Sequence, residues 1–266
     1  VKSVLDENRP SEARIPAALR HGVPVQVRWG LTDVGWSVLA FLLAITVGAA
    51  VVSLPVDPDA ASFGLGLLGY AVVVAVIVRA SYRRGQRSLR ADFGLALRPV
   101  DVPLGIAVGV LAQLASALYS TVAVAIAGYS PTTGNVRLSD DALWLVLTAV
   151  LTVVVAPIVE ELWFRGLVLG AVRNTVLRWR GRTQPAEPAQ QRRAIGIAAL
   201  ASALLFMALH SGQSADAVVT WVLALSTLTV ALLNAVLVVW TGRLGAGIVA
   251  HVTFNAVSVG FALAAR

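Results

Sequence analysis

The chain has 266 residues, of which 58% are apolar and 13% charged, with a formal net charge of +7 and no cysteine. Soluble globular domains carry about 25% charged residues, so this composition argues against a soluble domain and for a polytopic membrane protein. The missing cysteine excludes a disulfide framework, thiolate catalysis and a cysteine-held metal.

Residues 1–33 are mixed polar and charged and are broken by Pro10, Pro16 and Pro24, which points to a cytoplasmic tail rather than a signal peptide. Seven apolar segments follow, at 34–54, 62–80, 102–127, 141–172, 194–211, 216–240 and 243–264. Each approaches the roughly 20 residues that a membrane-crossing helix needs. The reading is an all-α bundle of about seven transmembrane helices, seven to eight, occupying 34–266 as one domain. The fourth segment is longer than one crossing and holds Pro157, Glu160, Glu161 and Arg165, so a kink or a cytoplasmic extension is expected there. The fifth and sixth almost touch in sequence and should form a tight antiparallel pair.

Charge placement orients the bundle. The pieces 1–33, 79–101, 173–193 and 241–243 hold 18 of the 21 basic residues; the alternate loops hold only Arg137 and the terminal Arg266, and Arg165 lies inside a segment. Basic loops stay in the cytoplasm, which puts the N-terminus inside and the C-terminus outside. The same placement explains the high isoelectric point without nucleic acid, and makes the lipid bilayer the expected partner. Lys2 is the sole lysine and Ala and Val dominate the apolar set, a bias that hints at a GC-rich bacterial genome and hence a bacterial plasma membrane. No internal repeat is visible, which lowers the case for a transporter.

Ionisable residues within a span are costly and mark function. Here they are Glu160, Glu161, Arg165, His210 and His251, joined by the amides Asn234 and Asn255. Glu161 and Arg165 are four apart and can pair along one helix face. Glu160 is turned about 100° away, free to take up a proton. A pure helix-locking ion pair would account for Glu161 and Arg165 and leave Glu160 unexplained. Phe206 and His210 share a face, as do His251 and Asn255. Read separately, an interfacial histidine and an interhelical packing bond would serve for these two pairs. Together they form a hydrolytic constellation, in which glutamate and histidine deprotonate water while histidine and asparagine receive an oxyanion. Glu160, His210 and His251 could equally hold Zn2+ or another divalent cation, and spacing does not choose between the two.

The motifs Glu160-Glu161-x-x-x-Arg165, Phe206-x-x-x-His210 and His251-x-x-x-Asn255, in that order within 141–260, resemble those of the CPBP family. These are the CAAX-protease and bacteriocin-processing intramembrane proteases, also called the abortive-infection family. The resemblance implies that Glu160 with His210 activates water, that His251 and Asn255 stabilise the oxyanion, and that Glu161, Arg165 and Phe206 support them. It implies an intramembrane endopeptidase acting on membrane-associated peptides or proteins, as a metalloprotease or a metal-free glutamate protease. A non-proteolytic scaffold or bacteriocin-immunity protein of the same fold is the alternative. His-Glu-x-x-His, Gly-x-Ser-x-Gly and a deep aspartate pair are all missing, against other intramembrane protease classes.

Depth raises one difficulty. At 1.5 Å per residue, His251 lies about 12 Å from Arg243, Glu160 about 20 Å from Arg173 and His210 about 25 Å from Arg193. Extension of the fourth and fifth helices into the cytoplasm would align them, with a cavity opening towards the cytoplasmic side.

Overall fold

A computed structural model describes residues 28–52, 55–131, 139–178 and 188–265. Most of the expected tail, residues 1–27, and Arg137 lie outside these. The helices are α1 (Leu31–Val52), α2 (Pro58–Arg84), the short α3 (Leu89–Phe93) and α4 (Asp101–Ala127). They continue with α5 (Ala142–Arg178), α6 (Pro188–His210), α7 (Ala217–Thr241) and α8 (Gly245–Ala264). All but α3 are long and apolar enough to cross a membrane, seven among the described residues, so the chain is an all-helical, multi-pass membrane protein.

Wide exposure of leucine and valine on α1, α4 and α7 is what a lipid-facing bundle requires, because lipid replaces water outside it. Trp221 and Trp240 are 67% and 73% exposed near opposite ends of α7. They stand roughly 28 Å apart along the axis at 1.5 Å per residue, about the thickness of the hydrocarbon core and the spacing of two aromatic belts.

The two ends of the bundle differ in charge. At one, Arg84 pairs with Asp33 at 2.7 Å and Arg243 grips Asp101 with two bonds of 2.7 and 2.6 Å. Arg178 reaches the Trp29 carbonyl at the same end. At the other, Asp57, Asp141 and Asp216 accept backbone N–H bonds as N-caps of α2, α5 and α7, the helices that start there. Asp59 takes the Ser139 hydroxyl, and Tyr129 donates to Asp216 at 3.2 Å.

The spine is α5. From Ala156 to Asn174 nearly every residue is buried, and α1, α2, α6 and α8 pack around it. Trp163 donates to Ser37 of α1 at 2.8 Å, and the Ser202 hydroxyl of α6 to the Phe164 carbonyl at 2.8 Å. Two stretches of α5, Leu151–Val155 and Leu162–Val168, are wound as π-helix. Such turns shift hydrogen-bond register and gather at functional sites. They flank the Glu160-Glu161 pair.

On the other flank, α4 holds α8 in place. A Cβ on Gly109 would fall 2.5 Å from the Ala250 carbonyl oxygen, and one on Gly105 would fall 2.7 Å from that of Ala246. The two glycines form the small-residue face that lets membrane helices approach closely. Gly109→Val is expected to lower stability by roughly 1–3 kcal/mol through overpacking. A thermal melt in detergent reads this, and an unchanged midpoint would refute the close approach.

Candidate active site

The depth difficulty resolves through helix length. α5 runs on to Arg178 and α6 starts at Pro188, both beyond their apolar stretches, so His210 at the end of α6 reaches the level of Glu160. His210 Nε2 lies 4.0 Å and His251 Nε2 3.7 Å from Glu160 Oε2. Three helices thus bring one carboxylate oxygen and two imidazole nitrogens to one point.

Each imidazole is oriented from behind. His210 Nδ1 lies 2.8 Å from the Phe206 carbonyl one turn earlier, and His251 Nδ1 lies 3.0 Å from Glu161 Oε1. A carbonyl and a carboxylate accept, so each Nδ1 donates and each ring turns its Nε2 towards Glu160. Phe206 sits at the junction, its ring centroid 4.2 Å from His210 and 5.7 Å from His251. On its other side the Arg165 guanidinium lies 4.8 Å from the ring, a cation–π contact.

Glu161 faces away from Glu160, as their spacing requires, and is fully buried. Its Oε1 meets Arg165 at 3.1 Å, the Asn234 amide at 2.9 Å and His251. Gly247 leaves room for this carboxylate, since a Cβ there would lie 3.3 Å from Glu161 Oε2. Of the two glutamates, one is held through its Oε1 by three partners and the other opens into a cavity.

Asn255 lines that cavity, and its amide donates to the Thr152 carbonyl at 2.8 Å. The cause is local. In the π-turn the Ala156 N–H bonds to Leu151, and the residue that would serve Thr152 is Pro157, which has no N–H. Asn255 supplies the missing donor with one N–H and keeps the other.

Tyr70 of α2 was not among the residues expected from sequence. Its hydroxyl donates to Glu160 Oε1 at 2.8 Å, fixing the carboxylate from the side opposite the imidazoles. A polar hydroxyl inside the otherwise apolar stretch 63–78 is the signal that could have flagged it. Tyr70→Phe removes one bond to a charged acceptor, worth roughly 1.5–3 kcal/mol, and is expected to slow turnover about tenfold or more with little change in KM. Unaltered kinetics would show that Tyr70 does not position Glu160.

The cavity holds about 590 Å³ and has Glu160, His210 and His251 at its deep end. Its walls run through Ser116, Thr148 and Thr227 to Ser62, Pro131 and Gln213, at the aspartate-capped end of the bundle. The expected opening towards the arginine-rich end is therefore wrong. That route is filled by the unbroken buried stretch Val159–Ala171.

A metal was held open for Glu160, His210 and His251. Among the described residues no group of three histidine, aspartate or glutamate side chains is placed to hold a metal ion. The separations of 3.7 and 4.0 Å from Glu160 to the imidazoles are also longer than ligands on one tetrahedral zinc would give, about 3.4 Å for bonds near 2.0–2.1 Å.

Fold and cluster define a multi-pass helical membrane protein with a carboxylate–imidazole group enclosed among its spans. Residues 142–257 match the family model described as "Type II CAAX prenyl endopeptidase Rce1-like". The chain carries an Rce1-like domain of the CPBP family, over the helices that bear Glu160, His210, His251 and Asn255. Neither a curated protein nor a solved structure matches the chain.

Proposed function

We propose that the chain is an intramembrane endopeptidase that hydrolyses peptide bonds of membrane-associated peptides or proteins, in a bacterial plasma membrane. The observation that carries this is the convergence of Glu160, His210 and His251 at the blind end of a cavity, within an Rce1-like domain.

Glu160 Oε2 and His210 Nε2 are too far apart for a direct hydrogen bond and well spaced to share one water. That water attacks the carbonyl carbon as its proton passes to Glu160. The new C–O bond makes the carbonyl oxygen an oxyanion, which the Asn255 N–H not given to Thr152 receives together with His251 in its protonated form. A protonated His251 donates to Glu161 through Nδ1 and to the reacting centre through Nε2. Breakage of the C–N bond then returns the proton from Glu160 to the leaving amine. Glu161, Arg165 and Phe206 hold the imidazoles in register, and Tyr70 holds Glu160.

The test compares peptide termini in membranes containing wild type or Glu160→Ala at equal levels. New termini confined to wild type are expected; identical termini would favour a scaffold or immunity protein. Because the cluster is not spaced as a metal site, cleavage is expected to survive exhaustive treatment with a divalent-cation chelator. Loss with the chelator and recovery with Zn2+ would instead make Glu160, His210 and His251 metal ligands.

A further inference from the structure

The cavity's direction and the charge asymmetry of the bundle, taken together, say from which side the site is reached. Its described lining residues avoid the arginine-bearing stretches altogether, namely 28–33, 79–101, 173–193 and 241–245. Between Glu160 and that end α5 is packed solid, with Leu167, Leu169 and Ala171 without exposure. At the opposite end the described residues include Asp57, Asp59, Asp140, Asp141 and Asp216 and no arginine or lysine. Arginine-rich loops stay on the cytoplasmic side of a membrane.

We infer that the site is entered from the non-cytoplasmic face, and that its substrates are peptide segments exposed on that side. As a statement about substrates this rests on the endopeptidase reading; as a statement about access it does not. The lining fits such an occupant. Hydroxyls of Ser116 and Ser120 on α4, Ser226 and Thr227 on α7 and Ser258 on α8 line the cavity beside Val222 and Val230, offering partners to an extended backbone inside a partly apolar wall. Beyond isolated contacts, α2 packs only on α1, α3 and α5, leaving a cleft between α2 and the walls made by α4 and α7. A segment tethered to the outer leaflet can enter sideways through that cleft.

The natural lack of cysteine makes single-cysteine labelling clean. Ser62→Cys and Gln213→Cys mark the cavity end; Tyr82→Cys and Leu97→Cys, at residues 60% and 62% exposed, mark the arginine-rich end. With a membrane-impermeant maleimide on spheroplasts, the first pair is expected to label at once and the second only after permeabilisation. The reverse pattern, or no labelling of the first pair until permeabilisation, overturns the inference. A bulky maleimide on Gln213→Cys should cut Glu160-dependent cleavage at least tenfold relative to the same unlabelled variant, and on Tyr82→Cys should not. Cleavage sites that map to cytoplasmic segments also overturn it. Correct labelling without any Glu160-dependent cleavage would sink the endopeptidase reading and leave the side of access standing.

Discussion

Glu160→Gln is expected to abolish cleavage while leaving the fold intact. Glutamine has the same shape, and its carbonyl oxygen still accepts the Tyr70 hydroxyl that now lies 2.8 Å from Glu160 Oε1. What it lacks is the ability to take a proton from water and hand it to the leaving amine. Positioned acid–base groups contribute about 10²–10⁴-fold in rate, so a loss in that range is expected. His210→Ala should approach it, and the double variant should fall little further, because residues acting as one unit are not additive. Matching detergent melts for wild type and Glu160→Gln would exclude a folding defect. A Glu160→Gln protein that still cleaves within a few-fold of wild type removes Glu160 from the chemistry and takes the mechanism with it.

The position of that carboxylate was legible in the chain; what surrounds it was only partly so. Two adjacent glutamates on a helix point about 100° apart, so the division between a held Glu161 and an open Glu160 follows from covalent geometry. The seven spans were equally plain, because a lipid-facing helix must be apolar over a fixed length. The cytoplasmic extensions of the fourth and fifth were expected only from the depths of the site residues, and not from hydropathy. Arg173–Arg178 and Pro188–Arg193 are polar, yet they continue α5 and α6, since a helix outside the hydrocarbon needs no apolar face. Tyr70, the Asn234 bond to Glu161 and the glycines Gly105 and Gly109 depend on which helices become neighbours, and periodicity within one helix says nothing of that. The link from Asn255 to Thr152 needs both a π-turn and the missing N–H of Pro157. The direction of the cavity was misjudged because depth was counted from the arginines. It depends instead on which half of α5 is packed solid.

The largest structural effect is expected at Glu161 and Arg165. Both are essentially without exposure, 3.1 Å apart, and the guanidinium leans on Phe206, which in turn touches both imidazoles. Glu161→Leu would leave Arg165 as an uncompensated charge beside an aromatic ring and strip His251 Nδ1 and Asn234 of their acceptor. Breaking a buried pair from one side costs roughly 3–5 kcal/mol, a large share of the stability of an ordinary domain. Arg165→Leu should cost less, because Asn234 and His251 still donate to the remaining carboxylate. Replacing both by leucine removes the two desolvated charges together, and such exchanges are often neutral. The double variant is therefore expected to melt above Glu161→Leu in detergent, and to stay inactive because His251 has lost the group that orients it. A double variant no more stable than Glu161→Leu would mean that the cost lies in the broken bonds to Asn234 and His251. Recovery of cleavage along with stability would show that Glu161 does not position His251 at all.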